Sequence, residues 1–282
     1  MTKSYKRLEA DGSENFDKVV EESVLNVSRQ APSKVLPTPW VSALLTPEDY
    51  ASVPAAMIET AKLISPRDGG CLRKFRGGLT HENGWYASAK TRRFLYWEGM
   101  TQFDAIRRAE CDDAVIFMMP EPRRFRFFLD DQWVSYTTDL ELHLSDGRKF
   151  ILELKREADD LRDQAYRRTL AAVSNCCAAI GYHFRIVLAD QIFASREHRY
   201  NVDLFASRRF VNVDRSALSR LRSVAADKSI KPTWGNLVRA LDPANHLRGA
   251  ALAQAFVCQR KVKLDLRELI LDYSPISFPT RA

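Results

Sequence analysis

No apolar run in this chain is long enough to cross a bilayer, and residues 1–18 are polar and charged, without the apolar stretch of a signal peptide. Membrane insertion and secretion are therefore not expected. The five cysteines, Cys71, Cys111, Cys176, Cys177 and Cys258, show no Cys-x-x-Cys spacing and no accompanying histidine pattern. That argues against zinc and against a disulfide framework, and a reducing cytoplasm fits best. The five histidines form no Ser-His-Asp or Cys-His arrangement, and Gly77-Gly78 lacks the Lys-Ser/Thr of a phosphate loop. Covalent hydrolysis and nucleotide hydrolysis thus find no support.

What the chain does have is bulk and positive charge. Its 282 residues are 45% hydrophobic, enough for a large core divided into two or three domains. The formal net charge of +7 favours a polyanionic partner through phosphate neutralisation. Basic residues cluster at Arg73, Lys74 and Arg76, at Lys90, Arg92 and Arg93, and at Arg123, Arg124 and Arg126. The first two clusters are the candidate DNA-binding residues; each cluster is equally compatible with a solvated face.

Punctuation and periodicity suggest three segments. Residues 1–86 read as a polar arm, a proline-marked connector, short helices over 47–64 and a glycine-rich basic loop. Residues 87–195 carry a helix from Phe94 toward Glu110, strands over 114–119 and 124–129, a hairpin over 136–156, a long amphipathic helix over 157–180 stopped by Gly181, and a strand over 182–188. This order predicts a mixed α/β (α+β) core with a sheet flanked by helices. Residues 196–282 read as helices over 216–225, 234–241 and 244–257, with Thr233 and Asp242 as caps and a short hairpin over 259–266, a helical and possibly winged-helix arrangement.

The hairpin organises the rest. Leu140, Leu142 and Leu144 alternate with Asp139, Glu141 and His143, and Phe150, Leu152 and Leu154 alternate with Glu153 and Lys155. A three-residue loop, Ser145 to Gly147, sets Asp139 opposite Glu153 with Lys155 on the same face; a two-residue loop breaks that pairing. Two facing carboxylates and an ammonium suit metal-assisted phosphodiester hydrolysis. A hairpin with a solvated polar face is the plain alternative.

The run Trp97-Glu98, Gln102, Glu110, Asp112-Asp113-Ala114-Val115, Pro122, Tyr136-Thr137-Thr138-Asp139 and Glu153-Leu154-Lys155 resembles the TnsA endonuclease subunit of heteromeric transposases, in the restriction-endonuclease-like PD-(D/E)xK group. The similarity covers about 94–192 and extends less specifically to 262–276. It implies a nuclease fold in which Asp139 and Glu153 bind Mg²⁺ or Mn²⁺, Lys155 adjoins the attacking water, and the Leu154 carbonyl completes the inner shell. The family's helical catalytic Glu falls on Gln102, counting back from Glu110; Glu98, placed one turn earlier, is taken as the catalytic and metal-binding acid with Gln102 beside it. Gln164, on the next helix, is a possible support. The resemblance further implies double-stranded DNA cut at transposon ends in the bacterial cytosol, beside a DDE-type transposase and an AAA+ regulator. Two alternatives remain: a DNA-binding or assembly subunit with an impaired site, and a stand-alone restriction or repair nuclease.

Overall fold

A computed structural model describes residues 20–27, 58, 60–72, 82–229 and 231–279. The basic cluster at Arg73, Lys74 and Arg76 and residues 1–19 of the polar arm lie outside the described residues, as do the helices expected before 58; residues 20–26, read as part of that arm, form a paired strand instead. The elements run β1 (Val20–Asn26), β2 (Thr60–Pro66), β3 (Asn83–Ser88), β4 (Arg93–Glu98), α1 (Met100–Cys111), β5 (Val115–Pro120), β6 (Arg124–Leu129), β7 (Gln132–Thr137), β8 (Leu140–Leu144), β9 (Lys149–Lys155), α2 (Gln164–Ala179), β10 (His183–Leu188), α3 (Arg196–Ser207), α4 (Arg215–Ala226), α5 (Trp234–Leu241), α6 (His246–Cys258), β11 (Lys263–Leu264) and β12 (Ile276–Ser277). The class is mixed α/β.

The chain divides into two compact units. The first holds the described residues up to Tyr86 with Phe94–Phe103 and Phe117–Ile192, and the second holds Ala87–Arg93, Asp104–Ile116 and the chain from Phe193 onward. In the first unit, an antiparallel sheet is ordered β1-β2-β6-β7 and a mixed sheet β10-β9-β8-β5. Strands β9 and β10 run parallel, joined through α2, which is the crossover that parallel neighbours require.

Helix α2 begins at Gln164 because the Asp163 side chain accepts the Ala165 and Tyr166 amides, and it ends before Gly181, whose φ of +75° is a left-handed stop. The long helix expected over 157–180 is thus interrupted: a single 3-10 turn, Ala158–Leu161, precedes the cap. Tyr166, Thr169, Leu170, Val173, Cys176 and Cys177 form its buried stripe. They share one core with Phe125, Phe127, Val134 and Tyr136 of the first sheet and Ile151, Phe184 and Ile186 of the second. Each fully buried Phe or Leu there contributes about 1.5–3 kcal/mol. Ala165, expected on this face, is exposed.

Several boundaries depart from expectation. Residues 60–66 form a strand where a helix was expected, and Gly84 lies in β3 where a loop was expected. Residues 94–98 also form a strand, so Glu98 ends β4 and does not lie on the helix; Gly99, at φ +80°, turns the chain into α1. Strand β7 and helix α3 had no counterpart in the periodicity reading.

In the second unit α3 to α6 bury Val202, Phe205, Leu221, Trp234, Leu237, Leu241, Leu252 and Phe256 in one cluster. Thr233 caps α5 as expected, accepting the Asn236 amide, and Asp242 follows its last turn. The hairpin expected over 259–266 is not formed. Lys263–Leu264 pairs instead with Ile276–Ser277, a two-residue antiparallel ladder behind four helices.

Candidate active site

The β8-β9 register follows from its turn. Leu144 donates to the Arg148 carbonyl at 2.8 Å and Gly147 to the Leu144 carbonyl at 3.1 Å, which closes the three-residue loop 145–147. Gly147 sits at φ +89°, where an L side chain is strained. Leu140 then faces Leu152, and Glu141 faces Ile151. Continuing the register by one step sets Asp139 opposite Glu153, although Asp139 occupies the bend before β8 and not the strand itself.

Asp139 is buried and fixed from both ends. Its Oδ2 accepts the Leu154 amide at 2.8 Å. Its own carbonyl accepts two donors, the Glu121 amide at 3.0 Å and the Gln102 Nε2 at 2.9 Å. Gln102 Oε1 accepts the Glu98 amide at 2.8 Å, so the buried Gln102 side chain clasps the end of β4 to the Asp139 peptide. The Glu98 side chain is exposed, and the residue enters this arrangement through its backbone. Of the two residues weighed for the third position, Gln102 is the one whose side chain reaches Asp139.

Glu153 is fully buried, and its carboxylate accepts from Tyr136 Oη on one oxygen and Tyr166 Oη on the other. Lys155 Nζ lies 2.6 Å from Glu153 Oε1 and 4.6 Å from the Tyr166 ring centroid. A buried carboxylate costs several kcal/mol unless paired, and here two phenols and one ammonium compensate it. Burial, reinforced by the Glu153 charge and by Tyr166, pushes the Tyr136 phenol well above its ordinary value, so it remains a proton donor. Neither tyrosine had been singled out for a role. Tyr166 follows the Asp163 cap by three residues on the stripe of α2, and Tyr136 shares the inward face of β7 with Val134.

The plain alternative, a solvated hairpin face, is not what forms: its three carboxylates are buried. Glu141 is also buried, held by Arg123 Nε at 2.7 Å, His143 Nε2 at 2.6 Å and Tyr182 Oη at 3.0 Å. Burial alone raises its pKa, but the His143 and Arg123 hydrogen bonds and charges outweigh that and hold it below the ordinary value of 4.5.

The remaining candidates disperse. Lys90 donates to the Ala109 carbonyl at 2.7 Å and to the Asp112 carbonyl, so its ammonium caps the end of α1 and is not presented to DNA. Burial lowers its pKa against the opposing charges of Asp112 and Glu110. Glu110 holds the turn of the β3-β4 hairpin through Ser88 Oγ at 2.7 Å and the Ala89 and Lys90 amides. Arg92 and Arg93 are exposed, as is Gln164 at the start of α2. Of the third cluster, Arg123 holds Glu141 and Arg124 donates to Thr137 Oγ1 at 3.0 Å.

Asp139, Glu153 and the Leu154 carbonyl match in kind the oxygen donors of Mg²⁺, which is ordinarily held by one or two carboxylates with waters. In number the set is short: no three His, Cys, Asp or Glu side chains converge among the described residues. Both Glu153 oxygens already accept protein donors, so a cation there would share the carboxylate with Tyr136, Tyr166 and Lys155.

No protein-family model matches the chain, and no curated protein shows significant similarity to it. No helix among the described residues is long and apolar enough to cross a membrane.

Proposed function

We propose that this chain is a TnsA-like DNA endonuclease subunit with a restriction-endonuclease-like core, which hydrolyses a phosphodiester at transposon ends. The observation that carries the reading is the hairpin itself: Asp139 is registered against Glu153, Leu154 NH is on Asp139 Oδ2, and Lys155 is on Glu153. A strand-turn-helix before this site and a β-α-β unit after it supply the surrounding scaffold.

In this reading Asp139 and Glu153 hold Mg²⁺ or Mn²⁺, which supplies charge neutralisation and an acidified water. The Leu154 amide fixes the Asp139 carboxylate in direction. Lys155 places a compact positive charge against the reacting phosphate, and its stem is steadied on Tyr166. Water oxygen bonds to phosphorus as the bond to the 3′ oxygen breaks, and that oxygen leaves with a proton, giving 3′ hydroxyl and 5′ phosphate. Double-stranded DNA, a DDE-type transposase and an AAA+ regulator are the partners that the resemblance supplies, with the helical second unit as their contact.

Nicking of supercoiled plasmid in Mg²⁺ or Mn²⁺ tests this, with the transposase partner present. Wild type is expected to nick and Asp139→Ala and Lys155→Ala not to; equal product from all three overturns it. A specific observation favours a second reading, a DNA-binding or assembly subunit of the same fold with an impaired site. The neutral Gln102 side chain donates to the Asp139 carbonyl, and the Glu153 carboxylate already meets Tyr136, Tyr166 and Lys155. DNA binding retained without nicking is the result that selects it. A stand-alone restriction or repair nuclease would nick without a transposase.

A further inference from the structure

The β6-β7 hairpin buries one face and leaves an aromatic one outside. Phe125, Phe127, Val134 and Tyr136 point into the core. Asp130 and Asp131, at φ +51° and +61°, form the two-residue turn that fixes the register and pairs Phe128 with Trp133 on the outer face. Those two side chains are 49% and 52% exposed, where an outward face ordinarily carries polar residues. Their rings meet edge to face at 5.8 Å. The Arg126 guanidinium lies over the Trp133 ring, 5.6 Å from its centroid.

Charge on this face is arranged around the rings. Arg126 is registered between Lys62 of β2 and Ser135 of β7. Lys62 pairs with Glu22 of β1 at 2.7 Å, and the turn carboxylate of Asp130 is neutralised by Arg168; Asp131 is the other acid of the turn. Tyr136, on the same strand, points through the opposite face toward Glu153, so this surface is separate from the candidate active site.

We propose that the outer face of the β1-β2-β6-β7 sheet, centred on Arg126, Phe128 and Trp133, binds single-stranded nucleic acid by stacking unpaired bases on the two rings. Every base has a π face, so such a platform is tolerant of sequence, and a guanidinium beside it serves both the phosphate and the ring. The net charge of +7 adds the long-range attraction for a polyanion. A protein-docking surface calls for a wider apolar patch with its charges at the rim; here the cation sits on the ring itself.

The test uses the full chain and three labelled probes: an oligodeoxythymidylate, an oligouridylate and a blunt DNA duplex, read by fluorescence anisotropy. Wild type is expected to bind one or both single strands, and the two single-strand arms separate DNA from RNA. Trp133→Ala weakens that binding about tenfold and Phe128→Ala several-fold, the scale of one lost stacked base. Trp133→Phe keeps a ring and recovers most of the affinity. Duplex binding and plasmid nicking are unchanged in all three, because no side chain of the Asp139 and Glu153 site is altered; this separates failure of the platform from failure of the nuclease reading. All positions are exposed, and circular dichroism checks the fold. Wild-type affinity retained in the Phe128→Ala/Trp133→Ala double variant, no single-strand binding by wild type, or a loss of self-association as the variants' effect overturns the proposal.

Discussion

Two glutamates on one face of the same hairpin are buried in different company. Glu141 is met by a guanidinium, an imidazole and a phenol, so its charge is cancelled and its pKa is held down. Glu153 is met by two phenols and one lysine ammonium, with Asp139 across the ladder. The first arrangement is a closed ion-pair network whose disruption threatens the fold. On the proposed reading, the second keeps acid, neutral donors and a cation within reach of one another, as a reacting centre requires. On that reading the same strand pair carries a structural acid and a functional one, distinguished by what the neighbouring elements bring to each.

That contrast can be broken most sharply by exchanging charge for amide at each position. Glu153→Gln is expected to lower plasmid nicking by about 10²-fold or more, the scale of removing one electrostatic catalytic group, whereas Glu141→Gln leaves the nicking rate near wild type. Equal losses in the two variants would erase the distinction. Next in size, Arg123→Ala leaves the Glu141 carboxylate buried with the His143 imidazole and the Tyr182 phenol as its remaining partners, and is expected to cost about 2–4 kcal/mol in denaturant unfolding. Tyr166→Phe removes one donor to a buried carboxylate and costs about 1–2 kcal/mol in the same measurement. If Tyr166→Phe proved the more damaging, Glu153 would be the structural member of the pair.

The pH dependence has a definite sign. The pKa of Glu141 is depressed in the folded state, so its stabilising contribution is complete above the ordinary carboxylate value of 4.5 and is lost as pH falls below it. Unfolding midpoints measured down through that range should fall more steeply for wild type than for Glu141→Gln. The smallest effect belongs to the turn: Gly147→Ala meets no atom within 4 Å but forces φ +89° on an L residue, costing about 1 kcal/mol and affecting both glutamates alike.

Part of this was legible in local pattern. Alternation around the Asp-Gly turn assigned the face of each residue; the three-residue loop, one of the two lengths left open, sets the β8-β9 register and hence the opposition of Asp139 and Glu153. Thr233 and Gly181 marked a helix start and a helix stop correctly. Glu98 was misplaced because aromatic residues over 94–97 are compatible with either period, and Gly99 was not weighed as a break. Lys90 read as a surface cation because nothing in its neighbours along the chain announces the α1 carbonyls that it caps. Tyr136 and Tyr166 were passed over because a phenol on an apolar stripe looks like packing until its hydroxyl meets an acid.

By itself the sequence determined which residues share a face of the hairpin, since side-chain alternation and turn length are local properties. Only the tertiary structure decided that this face is dry. The reason is that α2 and the β6-β7 hairpin, which lie on either side of it in sequence, converge on it, and Tyr166, Tyr136 and Arg123, just before β6, meet two carboxylates that alternation alone would have left in water.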